Sequence, residues 1–239
     1  MPDQTKSFLT AEWRKLAIAN YFIDPSILKK YIPNKTELDL WNGKCYVSLI
    51  GFMFLNTKVK GISIPFHRNF EEVNLRFYVR HKEGNEWRRG VVFIKEIVSK
   101  PLLAFVANTI YGENYKSMRT KHKWRTDEDS TTIEYKWKIK RWNSVIVKAE
   151  NIQKEIQPGS EEEFITEHFW GYTRLNEKKT SEYGVEHPKW KMYDVKHYQI
   201  NVNFASVYGS EFGSLTTQKP DSVFLAEGSE IIVRSGRKI

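Results

Sequence analysis

Residues 67–80, HRNFEEVNLRFYVR, carry the clearest indication of the fold. These residues alternate in character, which predicts a β-strand with two different faces. The apolar face consists of Val73, Leu75, Phe77 and Val79. The other face consists of Glu72, Asn74, Arg76, Tyr78 and Arg80. This second face either meets water, as in many half-buried strands, or lines a pocket.

Other segments have the same strand-like character, and turns that contain glycine connect them. Asn42-Gly43 predicts a hairpin that joins residues 38–41 to residues 44–54. A second hairpin is expected between residues 73–84 and 87–98. Gly228 predicts the turn of a third hairpin, at residues 223–235. Further extended segments are predicted at residues 131–142, 144–152 and 182–204.

Helices are predicted between and around these strands. Residues 9–22 follow helical spacing after Thr10, the expected N-cap. Ser160 and Glu163 form a capping-box pattern, so a short helix should begin there. Three more short helices are predicted at residues 24–33, 101–111 and 206–215. The whole predicts one domain over residues 1–239, a mainly antiparallel β-barrel of about ten strands with peripheral helices.

Composition narrows the class of protein. The chain carries 38 Lys and Arg against 29 Asp and Glu, a net charge of +9, and this surplus is spread along its length. Nucleic acid is therefore disfavoured as a partner, since no dense basic block or binding motif accompanies the charge. The single cysteine, Cys45, and the lack of a signal sequence or long apolar run favour a soluble cytoplasmic protein, and no membrane is expected as a partner.

The sequence lacks the motifs that are typical of several kinds of active site. The six histidines show none of the spacings typical of a zinc site, so no metal is expected. No phosphate-binding loop, dinucleotide fingerprint or nucleophile elbow occurs, and no cofactor is predicted.

The polar face of residues 72–76 is the first candidate site. Asparagine is disfavoured in strands, yet Asn74 stands between a carboxylate and a guanidinium on one face. Large barrels orient ligands with inward polar residues, so we expect this face to point into a pocket that binds a small acidic or aromatic molecule. Arg76 would clamp a carboxylate or similar anion, and Glu72 would serve as its partner or as a general acid or base. His187 and Trp190 are candidates for the pocket wall.

A second candidate follows the predicted helix at residues 101–111. Tyr115 is expected at the mouth or wall of the pocket, and Lys116 is one of several cations in residues 116–123. Crowding by other cations favours the neutral amine, so Lys116 is the candidate nucleophile of an alternative, enzymatic function. A non-catalytic interaction protein or a homo-oligomer is the remaining alternative.

The order of several short stretches resembles a known family. These stretches are WRKLAIANY, FEEVNLRFYVR, GVVF, YGENY, FWGYT and HPKW, at residues 13–21, 70–80, 90–93, 111–115, 169–173 and 187–190. They look like the YqjF-like family of bacterial proteins, a domain of unknown function. The resemblance covers most of the chain and implies a fold rather than an activity.

More distantly, that family resembles the acetoacetate decarboxylase-like barrels, which implies a barrel of that type here. In those enzymes an aromatic-x-Glu strand element precedes a helix, and a following lysine pair supplies a Schiff-base nucleophile, an amine that the neighbouring cation activates. Phe70 and Glu72 match the first element. Aligning Gly112 with the glycine of the second places Tyr115 at the nucleophile position and Lys116 at that of the helper lysine. The adjacent pair is absent, which disfavours imine-forming decarboxylation.

Overall fold

The protein is described by a computed structural model that covers residues 6–239, except for the side chains of residues 106, 107, 110 and 111. Within that range the chain forms fourteen strands, four α-helices and two 3₁₀ helices. The strands are β1 (Ser7–Phe22), β2 (Thr36–Leu38), β3 (Tyr46–Val59), β4 (Phe70–Glu83), β5 (Glu86–Val98), β6 (Tyr115–Ser117), β7 (Arg119–Thr126), β8 (Ser130–Lys138), β9 (Trp142–Glu155), β10 (Trp170–Arg174), β11 (Thr180–Glu186), β12 (Lys191–Asn201), β13 (Ser222–Arg234) and β14 (Arg237–Lys238). The helices are α1 (Pro25–Leu28), α2 (Pro101–Tyr111), α3 (Glu161–Thr166) and α4 (Phe204–Tyr208), and the 3₁₀ helices are Lys29–Tyr31 and Ser210–Thr216.

Seven of the strands close into a ring. Around it the order is β1, β3, β4, β5, β10, β11 and β13, and β13 pairs again with β1. Strands β12, β9, β8 and β7 continue from β13 as an arm of the same sheet. The predicted mainly β class is confirmed. The sheet is mixed rather than purely antiparallel, because β5 pairs in parallel with both β6 and β10, and the closed part is a ring of seven strands.

Strand β4 is buried on both of its faces, and the two faces have different surroundings. One of its faces belongs to a core cluster shared with β8, β9 and α4, through Val73, Leu75, Phe77 and Val79. The opposite face is enclosed by the ring, and Glu72, Asn74 and Arg76 are all buried there. The alternation of residues 72–79 therefore divides an apolar core from an enclosed polar face.

The helix predicted for residues 9–22 is wrong, because this segment is strand β1. The misleading signal has a structural cause. Lys15 has a φ of +54° and interrupts the pairing of β1 with β3, so the strand bulges there. Trp13 and Leu16 consequently face the same cavity although they are three residues apart. That spacing is what helical periodicity looks like in a sequence.

Gly228 lies opposite this bulge and explains a second wrong prediction. Residues 222–234 form one continuous strand, β13, rather than a hairpin. Gly228 has a φ of +81°, and a Cβ atom at this position would lie 2.0 Å from the carbonyl oxygen of Trp13. The glycine therefore permits the close approach of two strands and does not form a turn between them.

The other predicted elements differ less from the structure. The hairpin of β4 and β5 is confirmed, with Glu83 paired to Glu86 across the turn. Asn42 and Gly43 do form a turn, closed by a bridge from Trp41 to Lys44. However, the strand before that turn, β2, pairs with β4 and not with β3.

The helix predicted at residues 101–111 is α2, which ends at a left-handed glycine, Gly112. Two residues of its apolar pattern, Val106 and Ile110, have side chains outside the described set. The helix start predicted at Ser160 is confirmed at α3, where the Ser160 hydroxyl accepts a hydrogen bond from the Glu163 amide at 3.2 Å. The Glu163 carboxylate accepts in turn from the Gly159 amide at 2.7 Å rather than from the amide of Ser160. Across residues 6–239 none of the helices has both the length and the apolar character that crossing a membrane requires.

Candidate functional site

A cavity of about 240 Å³ lies inside the ring. All seven ring strands contribute to its lining, together with α2, Tyr115 and the segment between α3 and β10. The polar face of β4 forms part of this lining. The volume is somewhat below the roughly 300–1,000 Å³ of drug-sized ligand sites, which favours a small molecule.

Aromatic side chains form about half of the apolar wall. The rings of His187 and Trp190 are stacked with their centroids 4.3 Å apart, and Trp13 meets Trp190 edge-on at 6.2 Å. The indole N–H of Trp190 donates to Ser229 at 2.9 Å, so its orientation is fixed. Phe52 packs against Trp13 at 5.4 Å. These flat surfaces suit a planar or apolar ligand body.

Glu72 lies at the polar part of the cavity and is held by two donors. The Asn74 amide donates to one of its carboxylate oxygens at 3.0 Å, and the Tyr115 hydroxyl donates to the other at 3.0 Å. Burial nevertheless raises the pKa of Glu72 to about 7, and the charge of Glu113 adds to the rise. Near neutral pH the group therefore exists in both protonation states.

Two further glutamates line the same cavity. Burial raises the pKa of Glu113 to about 7. The pKa of Glu96 is raised well above its ordinary range by burial and by the neighbouring charges of Glu113 and Glu72. Glu96 and Glu113 each keep one carboxylate oxygen without a hydrogen-bond partner among the residues that the structure describes. A protonated carboxyl in this cluster can donate a hydrogen bond to a ligand.

Arg76 is the cation of this cavity. Its side chain is buried, with only 8% of the residue exposed, and it donates to the carbonyl oxygen of Ile165 at 3.0 Å. Within residues 6–239 its Nε has no hydrogen-bond partner, and no carboxylate lies within ion-pair distance of it. Buried guanidinium groups are normally paired, so this one has an unfilled position.

His168 adds a neutral imidazole to the lining. Its Nε2 lies 3.1 Å from Asp39, whose carboxylate also accepts from Arg89 Nε at 2.6 Å. Burial lowers the pKa of His168 to about 4, so the ring is neutral at physiological pH. Because Asp39 can only accept, Nε2 carries the proton and Nδ1 is left as an acceptor. Nδ1 has no partner among the described residues.

The structure brings six of the seven sequence-predicted site residues to one cavity. They are Glu72, Asn74, Arg76, Tyr115, His187 and Trp190. Lys116 is the exception: it is exposed and does not line the cavity, because side chains alternate along β6 and Tyr115 takes the inward position. No lysine occurs among the described lining residues. The expected amine nucleophile is therefore not at this site.

Sequence reasoning missed Glu96, Glu113 and His168. Glu96 stands within GVVFIKEIV, and an isolated acid in an apolar strand is a signal that could have been used. Glu113 belongs to the YGENY stretch but carried no signal of its own. His168 depends on Asp39, which is 129 residues away, and no local pattern reports such a contact. Over the described part of the chain, no group of three His, Cys, Asp or Glu residues is arranged to hold a metal ion.

The fold is that of the acetoacetate decarboxylase-like proteins. The acetoacetate decarboxylase of Legionella pneumophila is similar with a TM-score of 0.66 and 14% sequence identity, over 100% of this chain and 92% of that one. The enduracididine biosynthesis enzyme MppR, in a complex with pyruvate, is similar with a TM-score of 0.65 and 12% identity, over 99% of this chain and 92% of that one. At these identities the similarity concerns the fold alone.

Residues 10–230 match the model of the DUF2071 family, described as "Uncharacterized conserved protein (COG2071)", and the chain belongs to this family. The "Uncharacterized protein YqjF" of Bacillus subtilis (strain 168) is 32% identical over 104 residues. The aligned part is 43% of this chain and 41% of that protein, so the chain matches less than half of this curated relative's length. The resemblance predicted from the sequence is confirmed.

Proposed function

We propose that this protein binds a small acid with an aromatic or apolar body inside the ring of strands. The anionic group of the ligand would lie against Arg76, and its body against the aromatic wall around Trp190 and Phe52. The observation that carries the proposal is the buried guanidinium of Arg76 without an ion-pair partner among the described residues.

The charges of the cavity favour an anion over a cation. A buried carboxyl can lose its charge by taking up a proton, and the raised pKa values of Glu72 and Glu113, about 7, are consistent with this. A guanidinium keeps its charge at any physiological pH. The group that most needs a counter-ion is therefore Arg76, and protonated carboxyls nearby would add hydrogen-bond donors to the same anion.

Two other observations refine the ligand class. His168 Nδ1 is an acceptor, so a hydroxyl or amine on the ligand would gain a hydrogen bond there. The structurally similar MppR binds pyruvate, which is itself a small carboxylic acid. The low identity to MppR makes this a guide to the class of ligand only.

A thermal-shift screen with paired compounds tests the proposal. Each aromatic or aliphatic carboxylic acid is compared with its neutral amide, and we expect the acids alone to raise the melting temperature. Arg76→Met should abolish this response. The matched control is Arg80→Met, on the same strand, because Arg80 pairs with Glu37 outside the cavity.

Two outcomes would contradict the proposal. One is that amides stabilise the protein as well as the acids do. The other is that folded Arg76→Met protein still responds to the acids as the control variant does.

Glu72 supports a second candidate function, proton transfer to or from a bound acid. A carboxyl whose pKa is near neutrality suits a general acid or base, and Glu72 faces the same cavity as Arg76. The expected activity is exchange of the ligand's α-hydrogen for deuterium in D₂O, followed by NMR. Loss of exchange in Glu72→Gln, with binding retained, would support it, and no exchange in the unmodified protein would exclude it.

A further inference from the structure

The opening of the cavity lies between two distant segments of the chain. One is the loop at residues 60–69, between β3 and β4, and the other is helix α2. Ile64 and Leu102 both line the cavity, and they are also 38% and 53% exposed. Residues that meet both the interior and the solvent mark the opening.

The two segments at the opening carry large apolar side chains that are exposed to solvent. We call them the apolar rim: Ile62, Ile64, Phe66, Leu102 and Phe105. All five are exposed, and Phe66 is the most exposed of them at 89%. A cluster of exposed apolar side chains marks an interaction site more often than chance exposure.

The backbone holds Phe66 outward at a cost. Residues 64–67 form a turn in which the His67 amide donates to the Ile64 carbonyl oxygen at 3.1 Å. Pro65 takes the second position and Phe66 the third, where its φ is +63°. Glycine or asparagine normally takes a third position of this kind, because a bulky side chain is disfavoured at positive φ. A strained, nearly fully exposed phenylalanine is typical of a functional contact.

The two segments that carry the apolar rim have a positive net charge. Residues 56–69 and 99–112 contain no Asp or Glu, but they carry Lys58, Lys60, Arg68 and Lys100. Three of these cations are exposed and Lys100 is half-buried. An apolar tip with a cationic margin is complementary to a surface that is negative outside and apolar beneath.

We propose that the apolar rim docks on the surface of a membrane that contains anionic lipids. The five apolar side chains would enter the boundary between head groups and acyl chains, and the flanking cations would contact lipid phosphates. A second copy of the protein fits this surface less well, because it would bring the same positive charges face to face. Docking would also place the opening of the cavity at the lipid surface.

The two halves of the rim are about forty residues apart along the chain, so they form no continuous run of the kind that signals a membrane segment in a sequence.

Vesicle flotation with the full chain tests this proposal. We expect binding to phosphatidylcholine vesicles that contain phosphatidylglycerol, weak binding to phosphatidylcholine alone, and a decrease as salt is added. The double variant Phe66→Ala/Phe105→Ala should bind at least about tenfold more weakly. Its matched control is Ile152→Ala, because Ile152 is 68% exposed on β9 and does not line the cavity. This control should bind as the unmodified protein does.

A charge variant supplies a second, independent readout. Lys58→Gln/Lys60→Gln should lose affinity for the anionic vesicles, whereas Lys140→Gln/Lys148→Gln, which removes the same charge elsewhere, should lose less. Absence of binding to anionic vesicles overturns the proposal, as does equal binding by the double alanine variant. A concentration-dependent dimer in sedimentation that Phe66→Ala/Phe105→Ala abolishes would assign the surface to a second copy and overturn it as well.

Discussion

Glu182 and Glu96 are buried to the same degree, 1% and 2% exposed, yet their surroundings are opposite. Glu182 accepts from Arg88 at 3.1 Å, from Arg237 at 2.6 Å and from the Tyr172 hydroxyl at 3.1 Å. Glu96 faces the cavity with one oxygen unpartnered among the described residues and with other carboxyls as neighbours. The first environment stabilises a charge, and the second penalises one.

The two glutamates show the difference between a carboxylate that is buried to stabilise the fold and a carboxyl that is buried at a candidate binding site. At Glu182 the fold supplies the opposite charge through two partly exposed arginines, Arg88 and Arg237, which both form ion pairs with it. In the cavity it supplies three carboxyls and a guanidinium, and within residues 6–239 none of these carboxyls forms an ion pair with that guanidinium. Natural proteins accept such local costs chiefly at sites that act on other molecules.

The largest effect of a single substitution on stability is expected from Glu182→Gln. It removes the anion that Arg88 and Arg237 share, and we expect the free energy of unfolding to fall by about 2–3 kcal/mol. Urea denaturation at mildly alkaline pH measures the change. The matched variant Glu96→Gln should leave stability unchanged or raise it, because it replaces a carboxyl that is costly when ionised. A larger loss of unfolding free energy in Glu96→Gln than in Glu182→Gln would contradict the contrast drawn between the two glutamates.

The second prediction concerns pH. The pKa values of Glu72 and Glu113 rise from 4.5 to about 7 on folding, so the folded state holds these protons more tightly. Their contribution to stability is fully present below about pH 4.5 and is lost as the pH rises through about 7. The loss should be on the order of 2 kcal/mol for each of the two carboxyls between about pH 5 and about pH 8.

Denaturation of Glu72→Gln/Glu113→Gln beside the unmodified protein isolates this contribution. The double variant should have the flatter pH dependence. Identical slopes for the two proteins would show that these carboxyls ionise as freely in the folded state as in the unfolded chain.

A smaller effect is expected from Arg76→Met without ligand. Removing an unpaired buried charge should leave the free energy of unfolding unchanged or raise it by about 1 kcal/mol. Calorimetric unfolding measures this, with Arg88→Met as the contrasting variant, since Arg88 has an anionic partner in Glu182. A strong destabilisation by Arg76→Met would mean that the protein itself satisfies this guanidinium.

The last prediction is that the protonation of His168 does not change near neutral pH. Because the pKa of His168 is lowered to about 4, its imidazole should not titrate between about pH 5.5 and about pH 8. Nitrogen NMR shifts should show the Nε2–H form throughout that range. A transition near the ordinary histidine pKa would mean that His168 is not a neutral acceptor in the cavity.

The stretch at residues 67–80 shows how much of the fold the sequence predicts. The alternation of residues 72–79 and the turn at residues 84–85 report local geometry, so strand β4 and its hairpin with β5 follow from them. Strand β1 could not be predicted from its local sequence pattern, because the bulge at Lys15 that disguises it exists only through pairing with β3 and β13. Ring closure between β11 and β13 is likewise a contact between distant segments that no local pattern encodes.

The candidate site divides in the same way. Glu72, Asn74 and Arg76 were found because they share one strand face, and their chemistry is visible side by side. Glu96, Glu113 and His168 reach the cavity from other strands and loops, so their convergence is a property of the sheet order. Lys116 lies outside the cavity because it is one residue away from the inward position of Tyr115, and a sequence alignment to a distant family does not resolve a shift of one residue. A cytoplasmic location and the absence of nucleic-acid binding stay predictions.

A crystal structure with the strongest acid from the thermal-shift screen would show where the anionic group of the ligand binds. We predict that the carboxylate of the ligand lies within ion-pair distance of Arg76 and hydrogen-bonds to its Nε, with the body of the ligand against Trp190 and Phe52. A stabilising acid bound outside the ring, or bound inside it with its carboxylate away from Arg76, would contradict this claim.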